Sequence, residues 1–269
     1  MPATERRARV ERALGLTIVV LAVPAALIFD SAFFRHGGWL GGDHLYHGGV
    51  ARNLQGGGLI GRDYYAGHLS YFSGLYALVT GDGARLLGIS YDSFVSVASW
   101  WFGPLWIGAL VLLARRLWPG DWLRAGYLVL LATFAAPFST ASNGLWLSSL
   151  LPSGHVEWPI YPRDFALLGG ILVAWSVTSD RRWVRTVVTG LLLAATVTTH
   201  AQIGALTAIV AIATVVLRDR RRTVRILQDL AVITGVALVA GIWWWWPQLL
   251  ASLHDQPIGY GFWPGRIEL

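Results

Sequence analysis

Seven apolar runs, at 13–34, 93–114, 122–140, 160–178, 184–199, 201–217 and 228–248, limit the fold of this chain more than any other feature. Crossing about 30 Å of hydrocarbon takes about 20 apolar residues, and a backbone in lipid must satisfy its own polar groups, so each run reads as a helix spanning a bilayer. Composition agrees: 55% of residues are hydrophobic and 13% charged, with a mean hydropathy of +0.52, more apolar surface than a soluble single domain needs. The first run is long, lacks a small-residue cleavage site and is followed by further runs, so it is a retained span rather than a signal peptide. As a single helix, residues 184–217 would be about 51 Å long, well beyond the hydrocarbon thickness. A hairpin at His200 is therefore expected.

The basic residues are twenty-one Arg with no Lys. They cluster at Arg6 to Arg12, Arg115 to Arg124, Arg181 to Arg185 and Arg218 to Arg225, which is every second connection. Cytoplasmic loops carry excess Arg, so these four connections face inward. Fifteen Arg and six acids (Glu5, Glu11, Asp121, Asp180, Asp219, Asp229) then lie inside, against six Arg and nine acids outside. All seven His fall outside too. The clusters are short and interrupted by apolar runs, a pattern of membrane topology and not of a nucleic-acid face. With no Cys, disulfides and thiolate metal sites are excluded. The expected architecture is all-α: a single polytopic transmembrane bundle over 1–269, multi-pass in the cell (inner or plasma) membrane. Its N-terminus is in and its C-terminus out.

Two external segments carry most of the chemistry. The first, 35–92, is rich in Gly and Tyr and is expected to be structured, with helical character at 43–55 and an apolar stretch at 69–80 too short to span. The second, 141–162, holds Asn143, His155 and Glu157 among aromatics and prolines. Trp243 to Trp246 read first as an aromatic belt closing the last span and second as a sugar-stacking platform. Trp100, Trp101 and Trp106 read as lipid-facing or core residues, and Asp30 as interfacial or a further substrate acid.

The string from Asp43 to Gly58, DHLYHGGVARNLQGGG, resembles the first external loop of GT-C glycosyltransferases. That superfamily includes protein mannosyltransferases, oligosaccharyltransferase catalytic subunits and lipid A aminoarabinose transferase. Asp43 matches the first of its two loop acids, Tyr46 the aromatic, Ala51-Arg52 the helix and Gly56 to Gly58 the turn. His44 stands in place of the second acid, and Ala66-Gly67-His68 replaces the Lys-Pro-Pro segment of some members. Most members are longer, so the resemblance is to a short or truncated one.

The resemblance implies inverting transfer of a hexosyl or pentosyl unit from a polyprenyl-phosphate donor to a glycan, lipid or protein acceptor outside the cytoplasm. Asp43, His44 and Glu157 are the implied catalytic group, with Asp43 taking the proton of the acceptor hydroxyl. Arg52, Arg62, Asp63, Tyr65, His68, Arg163, Asp164 and His200 are the implied substrate-binding set, Arg and His serving the lipid phosphate. A metal-free reaction is preferred; Mg2+ or Mn2+ held by Asp43 with Glu157 or Asp164 is the alternative. Plainer roles compete at each position. Asp43 suits a helix N-cap, Arg62-Asp63 a local ion pair, Asp164 the positive end of a helix, Arg163 a snorkelling anchor and His200 a hydrogen-bonded turn. Two other functions compete as well: a non-catalytic scaffold subunit beside another membrane protein, and a small-solute transporter. Transporters gather ionisable groups near the bilayer midplane, whereas these span interiors are nearly charge-free.

Overall fold

The computed structural model describes residues 3–35, 49–52, 54, 69–70, 74–134, 162–219, 222–253 and 258–259. Among them the protein is all-helical apart from one two-residue parallel pairing. The helices are α1 (Ala3–Arg35), α2 (Gly74–Leu87), α3 (Tyr91–Leu117), α4 (Trp122–Phe134), α5 (Pro162–Val177), α6 (Thr189–Thr199), α7 (Ala201–Asp219), α8 (Thr223–Ala240) and α9 (Ile242–Leu253). A π-helical segment, Val184–Val188, leads directly into α6. Strand β1 (Leu69–Ser70) pairs in parallel with β2 (Ile258–Gly259). Residues 49–52 and 54 are also helical.

Among the described residues, each apolar run overlies one helix or more. Four helices are long and apolar enough to cross a membrane: Thr4–Leu27, Tyr91–Leu117, Ala201–Arg218 and Thr223–Ala240. That is the signature of a multi-pass membrane protein, and its outer surface fits lipid, with Val20, Leu21, Trp101, Ile209 and Val239 each more than 60% exposed. Trp100 is also exposed while Trp106 is buried, the two fates expected of that cluster.

The break at His200 is present. Its φ of −156° and ψ of 103° are extended, its N–H donates to the Thr196 carbonyl at 2.9 Å, and its carbonyl accepts from Gly204 N–H at 2.9 Å. Helices α6 and α7 then fold against each other so closely that a Cβ on Gly204 would lie 2.6 Å from Val197 Cα. The last run differs from expectation. Residues 228–248 do not form one helix, because the chain turns at Gly241 (φ −91°, ψ 0°) between α8 and α9. The N–H groups of Trp244 and Trp245 both bond the Gly241 carbonyl, and Trp245 Nε1 reaches back to the Leu238 carbonyl at 2.8 Å. Glycine is a poor helix former, and apolar periodicity carries no mark of such a turn.

Two apolar cores result. Helices α1, α3, α4 and α5 share one, around Ala26, Phe102, Trp106, Leu110 and Val129. The crossing of α1 and α4 is tight: a side chain on Gly15 would collide with the Trp122 carbonyl, and one on Gly126 with Gly15 itself. Small residues at such crossings let helix backbones approach where lipid supplies no hydrophobic drive for association. Helices α5, α6, α7 and α8 enclose the second core, around Val173, Val177, Leu193, Ala211, Val215 and Ile233.

Ion pairs tie the Arg-rich end together. Asp180, between α5 and the π-helical segment, accepts from Arg116 of α3 at 2.6 Å and from Arg218 of α7 at 2.8 Å. These two guanidinium groups hold its carboxyl below the ordinary carboxylate range. Arg185 and Asp229 are both fully buried and meet through two bonds, from Nε at 3.1 Å and Nη2 at 2.9 Å.

Candidate functional site

The Arg-poor end is where the sequence places the candidate residues. Of these, Arg52, Arg163, Asp164 and His200 belong to the described residues. Asp43, His44, Glu157, Arg62, Asp63, Tyr65 and His68 lie outside them.

Arg163 and Asp164 form the first turn of α5. Asp164 is buried, with its carboxylate 3.6 Å from the half-buried Arg163 guanidinium. An acid there complements the helix dipole, so the plain role expected for Asp164 is fulfilled whatever else it does. His200 comes to this end from the α6–α7 turn. Burial lowers its pKa below the ordinary histidine value, and the positive charge of Arg163 lowers it further. Two groups suited to phosphate, from different helix ends, are thus coupled electrostatically.

Arg52 has a different attachment. It donates to Asp92 Oδ2 at 2.8 Å, and its guanidinium lies 5.8 Å from the centre of the Tyr91 ring. Tyr91 hydroxyl meets Tyr76 hydroxyl at 3.1 Å, and the Tyr76 ring packs edge-on against Phe165, 5.6 Å between centres. Since Phe165 follows Asp164, an aromatic relay connects Arg52 to the α5 start without direct contact. The helical residues 49–52 and 54 pack Val50, Ala51 and Leu54 against Ala77, Tyr91 and Val95; the rest of the expected helical stretch 43–55 lies outside the described residues. Part of the apolar stretch 69–80 is described. It contains β1 and then the start of α2, which buries Gly74, Tyr76 and Ala77.

No protein-family model, curated protein or solved structure matches this chain.

Beside the His200 turn lies an apolar cavity of about 370 Å³ between α6, α7 and α8. Leu193, Val197, Ala211, Ile233 and Ala237 line its length, and Thr198, Gly241, Trp244 and Trp245 one end of it. Thr198 is two residues short of His200. Trp244 is buried in the bundle, so tightly against Gly74 of α2 that a Cβ there would collide with its indole, while Trp246 is 47% exposed. The Trp run thus divides, part of it structural and part facing outward, which a uniform belt does not capture. One turn beyond Trp244, Gln248 is 6% exposed and its Nε2 has no hydrogen-bond partner among the described residues. Sequence reasoning passed over it. A lone amide within an apolar helix was the available signal, because a buried amide without a partner is costly.

Among the described residues no three His, Asp or Glu side chains gather as metal ligands. Asp164, the described member of the metal-binding alternative, faces a guanidinium instead, a poor neighbour for a divalent cation.

Proposed function

We propose that this protein is a GT-C-like membrane glycosyltransferase, or the catalytic core of one. It transfers a sugar from a polyprenyl-phosphate donor to an acceptor hydroxyl on the Arg-poor, non-cytoplasmic face. In this reading the shorter helices α4, α5 and Val184–Thr199 join the long ones to make seven spans, oriented by the Arg clusters.

The observation that carries the proposal is the apolar cavity ending two residues from His200, with Arg163 close enough to depress the histidine's pKa. An isoprenoid chain matches such a lining, and guanidinium and imidazole groups suit a phosphate. The positive charge of Arg163 disfavours the protonated form of His200, and a phosphate beside both offsets that effect. The same groups stabilise the negative charge that grows as the donor bond breaks.

Asp43 accepts the acceptor's hydroxyl proton as the oxygen attacks the anomeric carbon from the face opposite the phosphate. The new glycosidic C–O bond forms while the bond to the phosphate oxygen breaks, and its electron pair leaves with the lipid phosphate. Arg62 and Glu157 join this group through the family resemblance.

The test is incubation of the purified protein in lipid with labelled polyprenyl-phosphate sugars, scoring donor binding and transfer separately. Asp43→Asn is expected to abolish transfer and leave donor binding intact, whereas Arg163→Gln weakens donor binding by about tenfold or more, as for a lost charged hydrogen bond. Undiminished transfer by Asp43→Asn overturns the mechanism. Absence of donor binding by the native chain overturns the function.

A further inference from the structure

The opposite, Arg-rich end carries a second cavity, independent of the sugar-transfer reading. About 570 Å³ in volume, it is lined by Arg182, Arg222, Thr223, Val224, Arg225 and Gln228. We propose that this cleft is a headgroup site for an anionic phospholipid.

The cleft is rich in positive charge. Arg182 donates from Nε to Asp229 at 3.0 Å and from Nη2 to Gln228 Oε1 at 3.2 Å, which fixes its guanidinium at the cleft wall. The single Asp229 carboxylate is shared with the buried Arg185, so it cannot neutralise the cleft as well. Arg222 and Arg225 pair with no acid among the described residues. Among the described residues, three arginines line this one cavity and Asp229, already paired with the buried Arg185, is the only acid bonded to any of them.

The helix end adds to that charge. Arg222 is the N-cap of the 18-residue α8; among the described residues no side chain caps this end, and its first turn contains no acid. The positive end of the helix dipole lies at Arg222, which itself lines the cleft. Cations at a helix N-terminus are electrostatically misplaced, and an anion bound among them reverses that penalty.

Amphipathic lining selects a lipid over a free ion. Val224, itself part of the cleft, is 70% exposed, with Leu227 at 62% on the same helix and Trp183 at 60% beside Arg182. Exposed apolar side chains bordering a basic cleft suit acyl chains below a phosphate, the pattern of headgroup pockets between membrane helices. Arg adds bidentate contact to phosphate oxygens.

Native mass spectrometry of the purified full chain in neutral detergent tests this, with phosphatidylglycerol or phosphatidylcholine titrated in and bound lipid counted. The native protein is expected to retain phosphatidylglycerol in preference to phosphatidylcholine. Replacing both Arg222 and Arg225 with Gln lowers phosphatidylglycerol affinity about thirtyfold, at the usual contribution of each cation near an anionic lipid. Replacing both with Lys keeps the charge and loses only the bidentate contact, so affinity falls clearly less than with Gln, which shows that the fold tolerates change there. An Arg6→Gln, Arg7→Gln pair, equal in charge but remote in sequence, leaves binding nearly unchanged. Equal binding of the two lipids, equal losses from the two Gln pairs, or displacement of phosphatidylglycerol by millimolar inorganic phosphate overturns the proposal.

Discussion

Asp229 shows how much one residue supports in this fold. Fully buried on α8, it holds Arg185 through two bonds and Arg182 through a third. Removing one partner of a buried pair strands the other charge, so Asp229→Ala is expected to cost about 3–5 kcal/mol, read as a lowered melting midpoint in detergent. Replacing both members by apolar residues of similar volume, Arg185→Met with Asp229→Leu, should recover most of that loss. His200 gives a residue-scale prediction in pH. Its folded-state pKa is lowered, so the unfolded chain binds the proton more readily as pH falls below the ordinary histidine value of about 6.5. Stability is therefore greatest above that pH, declines as pH falls toward the depressed folded value, and levels off below it. His200→Gln should flatten this segment of a stability-against-pH curve; an unchanged slope would place its origin elsewhere. The residue types at both positions were visible in the sequence. The pairing of Arg185 with Asp229 was not, because 44 residues separate them and only the folding of α8 onto the π-helical segment joins them.

Among the elements, those built by apolar periodicity were legible and those set by backbone detail were not. The His200 break followed from length alone, since no single helix of that size fits a bilayer. The Gly241 turn sits inside an uninterrupted apolar run, and the π-helical turn at Val184–Val188 has no apolar signature either. Close approach at the hairpin leads to a paired prediction. Gly204→Ala introduces a methyl 2.6 Å from Val197 Cα, a backbone atom, and is expected to destabilise by about 1–3 kcal/mol. Gly235→Ala on α8 meets nothing within 4 Å, and its helix propensity should stabilise by up to about 1 kcal/mol. Thermal unfolding of the two variants should thus move in opposite directions; a shift of the same sign in both would contradict the packing of α6 on α7.

At the scale of the whole molecule, the two ends of the bundle differ in kind. One is cross-linked by Arg116, Arg218 and Asp180 and by Arg182, Arg185 and Asp229; the other holds Arg163, Asp164 and His200 near an apolar cavity. Charge distribution along the sequence was enough to separate these ends, because Arg clusters recur at every second connection. It could not draw the cavity, which depends on how α6, α7 and α8 splay below Gly241. Which end faces the cytoplasm decides whether the proposed sugar chemistry is on the right side, and the absence of Cys makes that directly measurable. Leu86, 81% exposed at the end of α2, and the exposed Pro119 after α3 flank a single 27-residue helix, about 40 Å long at 1.5 Å per residue. In intact spheroplasts, Leu86→Cys is expected to react with a membrane-impermeant maleimide, and Pro119→Cys only after permeabilisation. Labelling of both before permeabilisation would show that α3 does not cross the bilayer. The reverse pattern would turn the bundle over and put Arg163 and His200 on the cytoplasmic face, where a donor presented at the outer leaflet is out of reach.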